Sequence, residues 1–469
     1  VETTGTTWLG LTMNCARCHD HKYDAITQKE YYQLFDYFNQ TSEEGGGWGG
    51  KIRPLLNLGS EAERREMEKL QDFVKRLVNK VDTFELRKFP RAPGLPAASS
   101  AVAKNLSGID PRILLKPASN RGTGELQQLA KHFKNKDVYY VGLLDNLLGK
   151  KRNYDKLSAA ATQVMVMDQL EEPRPTYILD RGGYNKPRME EPICMDVPSV
   201  LPPLPENVKN NRLALAKWLV KDENPLTARV TVNRYWQNFF GKGIVKTIED
   251  FGVQGAVPTH PELLDWLAVD FMENGWDLKV LFKKIVMSAT YRQSSKATPE
   301  LLETDPENSY LARATRMRLP SWMLRDQALA VSGLLVDSIG GKPVKPYQPK
   351  GIWSEATFGY TTYEQDKGDA LYRRSLYTFW RRIVGPTFLF DNASRQVCSV
   401  KSVNTNTPLH ALTTLNDITY MEAARVMAEK VLLVSKDDTE RIRFAFESAT
   451  CRTPDQKELG ILKSRLSDL

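Results

Sequence analysis

The sequence predicts a mainly α-helical, multi-lobed protein with few short strands and a small N-terminal segment that carries a cysteine–histidine motif. Apolar residues recur with the period of an amphipathic helix over residues 212–335 and again from residue 408 onward. The length of 469 residues suggests two to four domains, since one domain usually takes about 100–200 residues. Hydrophobic residues make up 41% and charged residues 26%, which supports a sizeable core and excludes disorder across the whole chain.

Charge, hydropathy and cysteine content exclude several classes of protein. The net charge of +8 is small for this length, so we expect no nucleic-acid partner, which usually requires a denser basic face. Because the sequence has no run of about 18 apolar residues, we expect no transmembrane segment. Five cysteines are too few for a disulfide scaffold. One disulfide among Cys194, Cys398 and Cys451 is compatible with the sequence, but its pairing cannot be deduced.

The first helix is predicted over residues 28–39, where apolar side chains are spaced three and four apart. Thr27 followed by Glu30 forms a capping-box pattern at its start. The glycine-rich residues 43–51 then predict a flexible boundary, because glycine adds no packing and permits positive φ.

The middle of the chain is predicted to contain one long helix and two shorter ones. Residues 60–88 are strongly charged with a narrow apolar stripe, which is typical of a long and largely exposed helix. Residues 89–118 predict a loop, and helices are expected near 123–134 and 153–170. The prolines of residues 171–206 predict an extended segment that joins two lobes.

The C-terminal part is predicted to be densely helical. Gly241 is in position to end one helix, and Thr259 with Glu262 suggests a capping box for the next. The pattern between residues 336 and 400 is mixed, and RRSLYTFW suggests a short strand. The predicted helices cover 212–220, 226–241, 261–274, 278–286, 321–335, 408–434, 438–449 and 454–467.

One motif carries recognisable chemistry. Cys15, Cys18 and His19 form the pattern C-x-x-C-H, which is typical of covalent c-type haem attachment. Two thiols three residues apart can each form a thioether with one vinyl group, and the next histidine can then present its imidazole to the iron. The segment therefore predicts haem c as a covalent cofactor, with His19 as the proximal ligand of the haem iron.

Other interpretations of the motif remain open. A structural zinc site needs four ligands, and His21 could join Cys15, Cys18 and His19 to supply them. A thiol–disulfide pair is a third interpretation. Asp20, His21, Lys22 and Asp24 are most simply a polar turn that leaves the site. The second interpretation is that a carboxylate or carbonyl, with Asp20 adjacent, accepts the N–H of the proximal imidazole and orients the ring.

Longer stretches of the chain resemble two known families. The segment GLTMNCARCHDHKYDAITQKEYYQLFDYFN resembles the C-terminal end of domain-of-unknown-function family 1549. The segment NRLALAKWLVKDENPLTARVTVNRYWQNFFGKGIVKTIEDFGVQGAVPTHPELLDWLA resembles the start of family 1553, and WDLKVLFKKIVMSATYRQSS, RRSLYTFWRR, SRQVCS and TNTPLHALTTLND add to this resemblance. The similarity covers residues 1–40 and about 170–469. Ala25 departs from the pattern, since the family commonly has proline there, and so does PRMEEPICMDVP, where a glycine-containing turn is usual.

The resemblance implies three regions. Residues 1–42 would be the end of the family 1549 domain with the haem motif, 43–205 a helical insertion with a proline-rich connection, and 206–469 the family 1553 helical domain. The two families occur together in large secreted planctomycete-type proteins, whose full-length members typically carry an upstream cytochrome C domain. No signal peptide is visible after Val1, and we expect the sequence to be a piece of a longer exported protein, periplasmic or extracellular.

These observations lead to two hypotheses about function. The first is an exported c-type haem protein in electron transfer or in a haem-assisted oxidoreductase system, with a redox partner protein that the sequence does not identify. The alternative is a non-redox protein that processes or binds extracellular polysaccharide, with a structural zinc site at the motif. Whether the protein is an enzyme is left open by the sequence.

If the haem iron has a distal protein ligand, His260 is the predicted one and His410 the second choice. His260 lies in the first turn of a predicted helix, where the positive end of the dipole favours a neutral, metal-binding imidazole. His21 is too near in sequence to cross the haem plane, and His132 lies in a variable-looking insertion. Methionine or an open distal position is also compatible with the sequence.

Two further patterns have ordinary structural explanations. Asp250, His260, Glu262 and Asp265 suggest acid–base chemistry, but helix capping and first-turn charge explain Glu262 and Asp265. The mixed arginines and aromatic residues between Tyr372 and Arg382 are better explained by interior pairing with carboxylates, or by a surface for an anionic ligand, than by nucleic-acid binding.

Overall fold

A computed structural model describes residues 1–42, 55–161, 163–206, 208–381, 383–391, 398–401 and 404–468. The fold is mainly α-helical, as predicted, with two small antiparallel sheets of two strands each in the described part. The predicted boundary at 43–51 lies outside the described residues. Where the structure is described, no helix combines the length and apolar character needed to cross a bilayer, in agreement with the sequence.

Helices dominate the order of elements along the chain. The α-helices are α1 Glu2–Thr4, α2 Gln28–Asn39, α3 Glu61–Lys88, α4 Ala101–Lys104, α5 Arg112–Leu115, α6 Thr123–Phe133, α7 Val138–Ala160, α8 Arg212–Leu219, α9 Thr227–Phe240, α10 Pro261–Glu273, α11 Leu278–Met287, α12 Ala289–Arg292, α13 Pro299–Thr304, α14 Ser321–Ser332, α15 Ile352–Ala356, α16 Pro408–Asn416, α17 Ile418–Val434, α18 Asp438–Thr450 and α19 Gln456–Ser467. The strands are β1 Leu55–Asn57, β2 Gln163–Met165, β3 Thr176–Leu179 and β4 Pro187–Ile193. β1 pairs with β2, and β3 pairs with β4.

The chain forms two compact units, whose boundaries differ from those of the three consecutive regions expected from the sequence. Residues 1–39 and 175–469 make one unit, and residues 40–174 make the other. The connecting segment expected over 43–205 is therefore divided: its last part packs with the N-terminal motif rather than with the helices before it. The structural reason is that β3 and β4 lie against α2.

The unit of residues 40–174 is built on α3, α6 and α7, whose apolar faces form one core. The helix predicted over 153–170 is wrong in its position, because α7 starts at Val138 and ends at Ala160. Its start is set by Asp137, whose Oδ1 accepts a hydrogen bond from the backbone N–H of Tyr140 at 2.9 Å. The sequence contained this cap, but the apolar periodicity of α7 is weak.

The other unit has two apolar clusters. The first joins the N-terminal motif segment to α2, to the chain after β4 and to α8, and it includes the fully buried Met13, Tyr37 and Trp218. The second lies among α9, α10 and α11. The first cluster therefore brings together residues that are about 200 positions apart.

Helix ends show which local predictions were correct. The Thr27–Glu30 capping box is confirmed, since the backbone N–H of Thr27 donates to Glu30 Oε2 at 2.7 Å. Gly241 ends α9 with φ of 75°, also as predicted. The Thr259–Glu262 capping box is wrong, because His260 occupies the N-cap position and makes no side-chain cap.

The predicted strand RRSLYTFW is also wrong. Residues Ser375–Tyr377 form a 3-10 turn, and only isolated bridges occur at Arg373 and Thr378. Arg373 is buried and donates to the carbonyl oxygens of Ser338 and Gly340, while Arg374 pairs with a carboxylate, that of Asp337. Carbonyl oxygens, and not carboxylates, thus accept from the two terminal nitrogens of the buried arginine.

Candidate functional site

The motif cysteines lie on a short turn with one buried and one exposed side. Met13–Arg17 forms a 3-10 helix in which Met13 and Ala16 point into the first apolar cluster and are fully buried. Cys15 and Cys18 are exposed free thiols. The spacing of three between the apolar residues thus fixes one face of the turn in the core and leaves the cysteines on the other face.

Helix α2 holds the turn in place through hydrogen bonds. The carbonyl oxygen of Arg17 accepts from the hydroxyl of Tyr32 at 3.0 Å and from Nε2 of Gln28 at 3.2 Å. The carboxylate of Asp20 accepts from the backbone N–H of Gln28 at 2.7 Å. The residues on both sides of Cys18 and His19 are therefore anchored to the same helix end.

The imidazole of His19 is exposed and has one nitrogen committed to the backbone. Its Nδ1 lies 2.6 Å from the carbonyl oxygen of Asp20. Because a carbonyl only accepts, Nδ1 carries a proton. In the neutral imidazole, Nε2 is then the nitrogen without a proton. This is the tautomer with which histidine binds a metal through Nε2. Asp20 contacts the imidazole through its main chain, since its carboxylate is engaged at the start of α2.

His21 is oriented differently from His19. Its side chain is only 5% exposed. Nδ1 accepts from the backbone N–H of Asp24 at 2.9 Å, so Nε2 carries the proton and lies 3.3 Å from Thr12 Oγ1. In the part of the chain that the structure describes, no group of three or more His, Cys, Asp or Glu side chains is arranged to hold a metal ion. The four zinc ligands proposed from sequence thus do not converge on one point.

A distant turn touches the motif. Residues Asp180–Gly182 form the turn between β3 and β4, and the carbonyl oxygens of Arg181 and Gly182 accept from Cys18 Sγ at 3.3 Å and from Arg17 Nη2 at 3.1 Å. Gly182 has φ of 70°, and a Cβ there would lie 3.1 Å from Cys18 Sγ. The sequence did not predict this contact. The Gly-Gly pair at 182–183 was the only local signal of a close approach.

The other predicted site residues lie in separate surroundings. His260 lines a cleft with residues of α9 and the 307–317 loop, and its Nδ1 lies 3.0 Å from Thr259 Oγ1. His410 stacks on Phe390 with ring centroids 4.1 Å apart. The distal-ligand role of either histidine stays a prediction.

The other cysteines and carboxylates named from the sequence lie outside the motif. Cys194, Cys398 and Cys451 are exposed free thiols, and Cys398 Sγ lies 3.5 Å from Thr7 Oγ1. Asp250 accepts from the backbone N–H of Gly252 at 2.9 Å, and Asp265 pairs with Arg229 at 2.6 Å. These contacts support structural roles for both carboxylates.

Two family models match the sequence. Residues 211–466 match a protein of unknown function, DUF1553 (PSD1), and this match covers more than half of the chain. The chain belongs to the DUF1553 family. Residues 1–43 match a second protein of unknown function, DUF1549 (PSCyt2). No curated protein and no solved structure matches the chain.

The DUF1549 segment packs directly on the DUF1553 region. The carbonyl oxygen of Gly10 accepts from the backbone N–H of Phe251 at 2.7 Å, and a Cβ on Gly10 would lie 2.9 Å from the Phe251 ring. Asp24 Oδ1 accepts from the backbone N–H of Val253 at 2.7 Å, and a Cβ on Gly252 would lie 2.5 Å from that oxygen. These close approaches require glycine at both positions, so the motif is built on the DUF1553 region.

Proposed function

We propose that the chain is an exported c-type haem protein that acts in electron transfer or in a haem-assisted oxidoreductase system. The observation that carries the proposal is the turn with Cys15, Cys18 and His19. It presents two free thiols and an exposed imidazole whose Nδ1 is held by a backbone carbonyl, while its other face is fixed in the core. The DUF1549 segment supports the proposal because the resemblance places such segments in exported proteins with a haem-type context.

The residues present fit this group by their donor chemistry. Each thiol of Cys15 and Cys18 would add across one vinyl group, with the S–H proton passing to the vinyl carbon. His19 would offer Nε2 to the iron, and the carbonyl of Asp20 would hold the ring in the required tautomer. When bound, the haem would supply a one-electron redox couple.

The direct test is a pyridine haemochrome spectrum. Protein exported to a compartment with the machinery for haem ligation is expected to keep haem after denaturation and reduction, because thioether bonds survive both. Cys15→Ala and Cys18→Ala should each impair this retention, while Cys451→Ala, an exposed cysteine at the C-cap of α18, should not. Wild-type protein without covalent haem under these conditions would contradict the proposal.

The same samples test the alternative with zinc. Metal analysis that finds one zinc per chain and no haem would favour a non-redox protein that acts on or binds extracellular polysaccharide. His21→Gln separates the two further. Zinc held by four ligands including His21 should be weakened, whereas covalent haem should remain, because His21 binds Thr12 and Asp24 instead.

The distal position is tested on the haem-loaded protein. His260→Ala is compared with wild type by optical and electron paramagnetic resonance spectra, and His410→Ala serves as the second variant. An unchanged low-spin spectrum rules out the substituted histidine. A high-spin wild-type spectrum removes the need for any strong distal ligand.

A further inference from the structure

A cleft far from the motif in sequence shares His260, the candidate distal ligand, with the proposed haem function. The other residues that line it have no part in that proposal. It has a volume of about 200 Å³. Drug-sized sites usually measure about 300–1,000 Å³, so this cleft selects a small ligand. Its apolar lining is formed by Trp236, Phe240, Ile244, Leu311 and Met317.

Positive charge dominates the lining. Lys242, Lys246 and Arg316 contribute three cations, and Glu307 is the one acidic residue among the described residues that line the cleft. Glu307 Oε2 lies 3.0 Å from Lys242 Nζ and 3.1 Å from Lys246 Nζ. These two lysines lower the pKa of Glu307 by donating hydrogen bonds to its carboxylate. Arg316 hydrogen-bonds a neutral hydroxyl, that of Ser295.

The loop that carries Glu307 is held by buried polar contacts although the Glu307 side chain itself is exposed. Asp305 is buried and accepts from the backbone N–H groups of Ser309 and Tyr310 at 2.7 and 2.9 Å. The buried Arg313 donates to the carbonyl oxygen of Asp305 at 2.9 Å. The Glu307 carboxylate is about half exposed, at 52%, and exposed ion pairs of this kind contribute little free energy. A ligand could therefore displace it at small cost.

Further polar groups of the lining come from Thr259 and His260, in the segment before α10. The backbone N–H of Thr259 is fixed by the carbonyl oxygen of Ile244 at 2.9 Å. His260 Nδ1 contacts Thr259 Oγ1, and His260 Nε2 is a further polar atom of the lining. The cleft thus combines an apolar lining, a surplus of positive charge and further polar atoms.

We propose that this cleft binds a small organic anion with one carboxylate, sulfate or phosphate group. The anionic group replaces the Glu307 carboxylate between Lys242 and Lys246, and the carbon skeleton packs against the apolar wall near Trp236. The cleft contains no residue of the motif, and the anion needs no haem to bind, so failure of the proposed haem function would leave this site unaffected.

Isothermal titration calorimetry at low salt tests the site with benzoate, phenyl sulfate and phenyl phosphate as probes. Benzyl alcohol is the neutral comparison, and inorganic sulfate and phosphate are the comparisons without a carbon skeleton. At least one phenyl anion should bind, and more tightly than its neutral and inorganic counterparts. The preferred anion identifies the class of ligand. If no phenyl anion binds, or if inorganic ions bind as tightly, the proposal is wrong.

Three variants locate the binding. Lys242→Gln with Lys246→Gln should weaken the preferred probe by about tenfold or more, because both charge-assisted contacts are lost. Glu307→Gln should strengthen binding, because the internal competitor loses its charge. Lys279→Gln removes an exposed charge on α11 outside the cleft and should leave the affinity unchanged. Equal affinity in the wild type and in the double lysine variant would overturn the assignment.

Discussion

Two polar regions of this protein differ in how many of their polar atoms remain available to bind a ligand. In the unit of residues 40–174, Glu85 and Arg121 form a buried ion pair whose side chains are each 1% exposed. Arg121 also donates from Nε to the carbonyl oxygens of Ile113 and Lys116, and Tyr140 donates to Glu85 Oε1 at 2.5 Å. Burial and the Glu85 carboxylate raise the pKa of Tyr140, so its hydroxyl stays a donor.

The turn with Cys15, Cys18 and His19 is the opposite case. Its core face is as well buried as the Glu85–Arg121 pair, but its thiols and the Nε2 of His19 point away from that core. A saturated polar cluster stabilises the fold and has nothing left to offer a ligand. An anchored turn with exposed thiols and an exposed imidazole has that capacity, and the comparison therefore separates a structural cluster from a candidate functional one.

The largest loss of stability is expected from Arg121→Met. The substitution leaves the Glu85 carboxylate buried without its partner, which should lower the free energy of unfolding of this unit by about 3–5 kcal/mol. Urea denaturation followed by circular dichroism measures the change. Glu429→Gln breaks the exposed pair with Arg425, whose side chains are 61% and 63% exposed, and should cost no more than about 0.5 kcal/mol. Similar losses in both variants would contradict a structural role for the buried pair.

The second effect concerns the support beneath the motif. Gly252→Ala would place a Cβ within 2.5 Å of the Asp24 carboxylate, so the contact between the DUF1549 segment and the DUF1553 region must open. We expect a loss of about 1–3 kcal/mol in thermal or urea unfolding. Gly460→Ala lies in α19 with open space around it and should instead stabilise by up to about 1 kcal/mol. A neutral Gly252→Ala would show that the two regions do not depend on this contact.

The third effect concerns the thiols themselves. Gly182→Ala would introduce strain at φ of 70° and bring a Cβ to 3.1 Å from Cys18 Sγ. Alkylation of Cys18 should become severalfold slower relative to Cys15, measured by mass spectrometry in the haem-free protein. Gly94→Ala has a similar φ of 80° but nothing within 4 Å, and it should leave the ratio unchanged. Equal changes in the two glycine variants would show that backbone strain, and not the contact with Cys18, causes the effect.

The smallest effect is a pH dependence at the start of α2. Burial raises the pKa of Glu30, but hydrogen bonds from Ser199 and Thr27 outweigh it, so the folded pKa lies below its usual value. A group whose pKa is lower in the folded state stabilises the fold at pH values above its unfolded pKa, which is about 4.3 for glutamate. This contribution to stability disappears as the pH falls through the folded pKa. Urea unfolding of Glu30→Gln and wild type should therefore differ at pH 7 and converge in acid. A constant difference would contradict the assignment.

Local features of the fold could be predicted from the sequence, while contacts across the chain could not. α2 follows from periodicity and from the Thr27–Glu30 capping box, and α3 follows from its charged sequence with a narrow apolar stripe. These patterns depend on residues only a few positions apart. The expected strand at RRSLYTFW was wrong because the buried Arg373 takes carbonyl partners from a loop more than 30 residues away. Apolar and aromatic content alone does not reveal such pairing.

The candidate site also combines features that local sequence predicts with contacts that it does not. Spacing was sufficient to select Cys15, Cys18 and His19. The inward position of His21 could not be predicted, because it depends on Asp24, which is itself held by Val253. The turn at Gly182 lies more than 160 residues from Cys18, and no local pattern connects the two.

The long separation within the first apolar cluster also has a consequence for synthesis. Met13 is made about 200 residues before Trp218, and the cluster that covers it is incomplete until Trp218 has been added. At about 5–20 residues per second, the ribosome needs about 10–40 s for the intervening stretch. Throughout that interval the nascent chain carries its cysteine pair without the packing that shapes the turn. The two thiols are thus open to oxidation or to a chaperone before the native protein exists.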